Sequence, residues 1–216
     1  MELSERQRRV VAWAHRRISN PAEWVVLDTE TTHLEGEVIE IVIVDPAGHV
    51  LLESLVRPLG RVSRDARALH GITDEELAGA PTFAELWPRI YSVLGQVSYV
   101  ITYNAPFDRE RLATSCALAD LTLYTGRGAA RRAQLYGARL RETTPVVLPV
   151  EWECLMEQYA HYHGQRSRRG FVPQPLAKAC SQLRIRHTQW HRARGDTEAA
   201  LKVLRCLARK YAGTHL

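Results

Sequence analysis

The chain has only four cysteines, Cys116, Cys154, Cys180 and Cys206, and no two of them form a C-x-x-C pair. That spacing argues against a zinc ribbon or a redox couple and leaves buried free thiols as the expectation. The histidine pairs His187/His191 and His161/His163 lack the cysteine or glutamate that would complete a zinc pattern. No segment approaches the length of a membrane-spanning helix, and Met1 to Gln7 lacks the apolar stretch of a secretory signal. An intracellular, cytoplasmic protein with no membrane partner is expected. Internal repeats and low-complexity tracts are missing too, which removes solenoids and disordered linkers from consideration.

What remains is the composition of one globular unit. With 216 residues, 45% of them hydrophobic, the chain can bury one substantial core, so a single domain over 1–216 is expected. A net charge of +5 favours an anionic partner such as nucleic acid. Gly164 to Gly170 carries Arg166, Arg168 and Arg169 with no acid among them, and reads as a basic loop.

Periodicity and punctuation outline the elements. Ser4 and Gln7 form a capping box for an N-terminal helix over 4–19, with Val10, Ala14 and Ile18 on one face and Asn20-Pro21 ending it. Strands are predicted at Trp24 to Asp28, Val38 to Asp45, Val50 to Arg57, Val97 to Tyr103 and near Val150 to Cys154, with Pro46-Ala47-Gly48 turning the second into the third as an antiparallel hairpin. Helices are predicted at Phe83 to Leu94, Phe107 to Ala119, Leu155 to His163, Pro175 to Leu183 and Thr197 to Tyr211. A meander followed by alternating strands and helices implies an α/β fold with a mixed five-stranded sheet flanked by helices.

Acidic residues gather at three predicted junctions. Asp28 and Glu30 leave the first strand two residues apart, so they face the same way and Thr29 faces the other. Gathered carboxylates suppress one another's ionisation, and a fold normally does this to hold divalent cations, although a solvated strand end looks the same in isolation. Asn104 to Asp108 follows the fourth strand, where either residue could simply cap a helix. His191 to Asp196 precedes the last helix. Five residues of continuous helix would turn His191 about 140° from Asp196, so convergence needs His191 on the loop before the helix, with Gly195 a plausible break.

Val26-Leu27-Asp28-Thr29-Glu30-Thr31-Thr32, Tyr103-Asn104-Ala105-Pro106-Phe107-Asp108 and His191-Arg192-Ala193-Arg194-Gly195-Asp196, in that order, resemble the three motifs of the DEDDh (DnaQ-like, ribonuclease T superfamily) 3′-to-5′ exonucleases. Glu40-Ile41, Val56-Arg57-Pro58, His70-Gly71-Ile72-Thr73 and Leu176 to Cys180 are similar as well, and His70 to Thr73 taken alone also reads as a helix stop at Gly71 followed by a Thr73 cap for Asp74 to Leu77. The resemblance implies a ribonuclease H-like fold and two divalent cations, Mg²⁺ or Mn²⁺. It makes Asp28, Glu30, Asp108 and Asp196 the metal-associated acids, with Asp108 acting through water, and His191 the general base. Thr31, Leu34, His70, Asn104 and Phe107 would contact substrate, Leu34 and Phe107 as an apolar lip between terminal bases. Two cations would activate water and stabilise the departing oxygen, and an imidazole can accept the water's proton near neutral pH.

The chain departs from the family pattern in places. His33 stands where a glycine is usual before Leu34, and Tyr103 where a histidine is frequent before Asn104. A longer connection, about 121–147, carries Arg127, Arg131, Arg132, Arg139 and Arg141 interleaved with Tyr124 and Tyr136. It reads either as a surface for phosphates and bases or as an inserted helical hairpin with a solvated basic face. Trp87, Trp152 and Trp190 are expected to pack rather than to stack on bases.

The expected activity is release of nucleoside 5′-monophosphates from 3′ ends of single-stranded DNA, with RNA close behind, rising from neutral toward mildly alkaline pH. A DNA polymerase or repair complex is a possible partner. The chain ends soon after its last helix without a tethering tail, which favours an independent repair or processing nuclease. The alternatives are a non-catalytic nucleic-acid-binding or polymerase-accessory module and an oligoribonuclease-like enzyme on short RNA.

Overall fold

A computed structural model of the chain describes residues 3–136, 143–187 and 190–211. Its centre is a five-stranded sheet in the order β3 (Val50–Leu55), β2 (Val38–Val44), β1 (Trp24–Thr31), β4 (Tyr99–Thr102), β7 (Glu151–Cys154). β1, β2 and β3 form the antiparallel meander, while β4 and β7 run parallel to β1. Every residue of β2 is buried, as expected of a Val/Ile strand deep inside a covered sheet, and the one charged residue in it, Glu40, is buried with the rest.

The two faces of β1 are covered by different sets of helices. Trp24 and Val26 join a core formed with α1 (Glu5–Ser19), α7 (Leu155–His163), α8 (Leu176–Gln182) and α9 (Ala193–Arg209), through residues such as Val10, Tyr159, Ala179 and Leu204. Val25 and Leu27 join the opposite core with α4 (Phe83–Leu94) and α5 (Ala105–Leu118), through Phe83, Ile90 and Leu112. Strand alternation extends both series past the apolar run: Asp28 and Glu30 continue toward α9, and Thr29 toward α5.

The α1 capping box is present, with Ser4 Oγ accepting from Gln7 N–H at 3.3 Å and Gln7 Oε1 accepting from Ser4 N–H at 3.0 Å. α1 is locked down at its other end: Arg17 donates to both carboxylate oxygens of Glu153 on β7, at 2.7 and 2.5 Å, and Trp13 Nε1 donates to the same group at 3.0 Å. Two short helices not expected from periodicity, α2 (Arg64–His70) and α3 (Asp74–Ala78), come after β3. Their caps are local, from Ser63 and Thr73, and Gly71 ends α2 in the left-handed conformation at φ 73°.

Two sequence expectations are corrected. The insertion is not a helical hairpin: β5 (Leu121–Thr125) and β6 (Thr144–Leu148) pair in parallel on either side of α6 (Ala129–Tyr136). The β-branched and aromatic residues of both segments suit strands, and parallel pairing requires a crossover between them, which α6 supplies. Arg139 and Arg141 lie outside the described residues. α9 also begins at Ala193 rather than Thr197, with Gly195 inside its first turn. The chain breaks instead at His191, which takes the left-handed conformation at φ 59°. Between α7 and α8, β8 (Arg166–Ser167) and β9 (Gly170–Phe171) make a small hairpin of the basic loop. No described helix is long and apolar enough to cross a membrane.

Candidate active site

Asp28 and Glu30 emerge at the end of β1 on the α9 side and meet Asp196, in the first turn of α9. One carboxylate oxygen from each lies within 4.8 Å of the others. Burial raises the pKa of all three. For Asp28 the charges of Asp108, Glu30 and Asp196 add to it, in that order. Glu30 is pushed up to about 8, by burial first and then by Asp196, Glu40 and Asp108, with Arg192 opposing.

Asp108 arrives from the other face of the sheet. It is buried in the first turn of α5, and Thr29, projecting toward that helix, donates its hydroxyl to Asp108 Oδ1 at 2.9 Å. The residue expected to point away from the acids therefore secures the fourth of them. Burial lifts Asp108 to about 7, while the Thr29 bond opposes the rise. Asp108 is not one of the three acids whose oxygens share the 4.8 Å group. Asn104 precedes α5, but its side chain makes no capping hydrogen bond, so the simple-cap explanation fails for it.

The third cluster is positioned by a residue that spacing did not single out. Glu40, buried on β2 opposite Glu30, accepts from Arg192 Nε at 3.1 and 3.2 Å, from Arg192 Nη2 at 2.7 Å and from the backbone N–H of Ala193 at 2.8 Å. Its carboxylate satisfies the first amide of α9, the place usually taken by a local Ser, Thr, Asp or Asn side chain. His191 stands just before that anchor, exposed, with its backbone N–H donating to Asp196 Oδ2 at 3.2 Å. The other oxygen, Asp196 Oδ1, is buried with no hydrogen-bond partner among the described residues. The sequence hints at Glu40 through the family-like Glu40-Ile41 pair and through its charge inside an otherwise apolar strand, but neither reveals that it anchors α9.

These groups open onto one cleft of about 850 Å³, lined by Asp28, Glu30, Asp108, Asp196 and His191 together with Thr31, Leu34, His70, Asn104 and Phe107. Every residue expected at the site therefore reaches it. Leu34 is 77% exposed at the rim. Its loop is drawn tight by bonds from Thr31 Oγ1 to the His33 carbonyl at 2.8 Å and from Gly36 N–H to the same carbonyl at 2.8 Å. Glycine is needed at 36 rather than 33, because a Cβ on Gly36 would lie 2.0 Å from Thr32 Oγ1. Beneath the loop the buried Arg111 places its guanidinium 5.8 Å from the Phe107 ring centre and donates to the Gly36 carbonyl at 3.5 Å. α2 adds Leu69, 56% exposed, as a second apolar lip residue.

His70 is 5% exposed. Its Nδ1 accepts from Ile72 N–H at 3.0 Å, which leaves Nε2 to carry the proton; the Thr31 backbone interacts with the ring, but no well-formed hydrogen bond to Nε2 is present among the described residues. Burial lowers its pKa and favours the neutral ring. Trp190, by contrast, packs against the core around α9 and meets His187 edge-on at 4.6 Å.

The donor set fits a hard divalent cation. Three carboxylates converge, their ionisation is suppressed by burial and mutual repulsion with Arg192, held by Glu40, opposing at Glu30, and one oxygen has no hydrogen-bond partner among the described residues.

Comparison with known proteins agrees. A family profile described as "Exonuclease" (RNase_T) matches residues 25–119. The chain is 30% identical over 189 residues to the uncharacterized exonuclease CP81 of Escherichia phage 186, covering 86% of this chain and 88% of that protein. Among solved structures, exonuclease X in complex with 5′ overhanging duplex DNA superposes with a TM-score of 0.53 at 22% identity, covering 83% of this chain and 89% of the other. The nuclease domain of 3′hExo, a DEDDh family member bound to rAMP, superposes with a TM-score of 0.59 at 16% identity, covering 90% and 94%. These two share the fold: a mixed five-stranded sheet flanked by helices, of the ribonuclease H-like kind.

Proposed function

Since the chain belongs to the RNase_T exonuclease family, we propose that it is a metal-dependent nuclease of the DEDDh branch that removes nucleoside 5′-monophosphates from the 3′ end of a single strand, DNA foremost. The observation that carries this reading is the meeting of Asp28, Glu30 and Asp196 within 4.8 Å in a cleft that His191 also lines. A non-catalytic binding module would have no use for a buried, mutually repelling cluster beside an exposed imidazole.

Asp28, Glu30 and Asp196 would hold divalent cation, Mg²⁺ or Mn²⁺, and Asp108 would act from the opposite wall through water. Bound there, the cations supply charge neutralisation at the scissile phosphate and acidify the attacking water. His191, on its left-handed turn, accepts the proton that water gives up. Leu34 and Phe107 separate the last bases by apolar contact, which reads no base identity and makes sequence preference weak. His70, which lines the cleft, would offer Nε2–H to an oxygen of the terminal nucleotide, and Asn104 and Thr31 border the same space.

The test is an end-labelled oligonucleotide ladder in DNA and RNA, with EDTA, Mg²⁺ or Mn²⁺. Stepwise shortening from the 3′ end that requires metal is expected. Asp28→Asn should remove turnover by orders of magnitude while the protein still binds strand. Endonucleolytic fragments, or a D28N variant as active as the unaltered protein, would refute the assignment.

A further inference from the structure

The outer side of α5 forms a second cleft, of about 400 Å³, with the insertion: Pro106, Arg109 and Glu110 contribute from α5, Tyr124 and Thr125 from β5, and Arg132 from α6. It adjoins the catalytic cleft. Pro106 and Arg109, three residues apart on one side of the helix, flank Phe107 and Asp108, so the two clefts occupy neighbouring faces of the same first turn.

Its charge is positive and uncompensated. Arg132 is pinned by donating to the Arg127 carbonyl at 2.7 Å and the Thr125 carbonyl at 2.5 Å, which fixes the guanidinium without neutralising it. Among the described residues neither Arg132 nor Arg109 has a carboxylate within ion-pair distance. The one acid of the cleft, Glu110, pairs with the buried Arg111 at 3.0 Å. Arg127, in contrast, is engaged by Glu151, which accepts from its backbone N–H at 2.9 Å and lies 3.7 Å from its Nε. The Tyr124 hydroxyl is buried with no hydrogen-bond partner among the described residues, and such groups are normally satisfied.

We infer that this cleft binds the sugar–phosphate backbone of the same single strand, on the 5′ side of the nucleotide being removed, with Arg109 and Arg132 on phosphate oxygens and Tyr124 donating to a third. The inference rests on the nuclease reading for the identity of the strand. Guanidinium groups suit phosphate oxygens in paired geometry, and contacts confined to the backbone carry no sequence preference. The single internucleotide phosphate of a dinucleotide is the one being cleaved, which leaves none for the second cleft, so the benefit grows with strand length.

The test is binding of fluorescein-labelled DNA of two and of ten nucleotides, in Ca²⁺ and at several salt concentrations, to the unaltered chain and to Arg109→Ala/Arg132→Ala. Losing two phosphate contacts should weaken ten-mer affinity roughly tenfold and reduce the slope of log affinity against log salt by about 1.4, some 0.7 per contact on a single strand. Dinucleotide affinity should change little. Tyr124→Phe keeps the ring and should weaken the ten-mer alone by a few-fold. An unchanged salt slope, or equal losses on both lengths in a variant that melts like the unaltered chain, would overturn the inference. Should no oligomer be shortened by the unaltered protein, the nuclease reading falls while the salt slope still decides the cleft.

Discussion

The acid cluster makes the stability of the metal-free protein fall as pH rises, and divalent metal should reverse this. Glu30 has an ordinary value of 4.5 and is lifted to about 8 in the fold; Asp108 goes from 3.8 to about 7. A carboxyl whose folded pKa is raised keeps a proton that the unfolded chain has already lost, so folding is favoured at low pH and the advantage disappears as pH climbs to the folded value. Each retained proton costs about 1.4 kcal/mol per pH unit. Between about pH 6.5 and 8, Glu30 alone accounts for about 2 kcal/mol, and Asp108 adds to the early part of that interval. For a chain of this size that is a fall in Tm of about 4–8 °C. His70 works the other way: its lowered pKa costs stability only where the unfolded imidazole is charged, below about pH 6.5, so it does not obscure the window. Thermal melts in EDTA at the two pH values measure the effect, and Glu30→Gln should flatten most of it. Mn²⁺ binds the deprotonated acids, so the Tm it adds should be larger at the higher pH. A metal-free Tm that is constant or rising across the window, or a metal increment independent of pH, would refute the reasoning.

Glu40→Ala should lower Tm by about 2–8 °C, a lost helix cap of about 1–2 kcal/mol, and should also weaken Mn²⁺ binding about 10-fold or more because α9 loses its anchor. A drop in Tm with unaltered Mn²⁺ affinity, measured by calorimetry, would reduce Glu40 to a purely structural part. Thr29→Val removes the hydrogen bond that opposes Asp108's raised pKa, so the acid limb of the pH–rate profile should move to higher pH; a profile in register with the unaltered protein counts against a role for Asp108. Gly36→Ala forces a Cβ against Thr32 Oγ1 and should disturb the Leu34 loop, seen as a raised KM on oligonucleotides with the Tm change small.

The site was largely legible because each cluster is short and sits at the junction of a recognisable apolar run. Once Trp24 to Leu27 is a strand, alternation alone puts Asp28 and Glu30 on one side. The capping box of α1 and the extents of α4 and α7 come from residues three or four apart, interactions a local pattern contains. The stop of α2 at Gly71 and the Thr73 cap of α3 are legible in His70-Gly71-Ile72-Thr73, whereas the seven residues of α2 are too short for apolar periodicity to show. The helical-hairpin alternative for the insertion fails because a parallel strand pair is joined by non-local hydrogen bonds that no local window of sequence contains.

Sequence order by itself determined which residues could do the chemistry and the family to which they belong: the acids, the histidine and the strand and helix ends that present them. Tertiary structure alone decided how they are held. Glu40 meets Arg192 across 152 positions of chain, and Thr29 meets Asp108 across 79. Such contacts depend on which face of β1 each helix covers, a property of packed layers that no local window of residues can express.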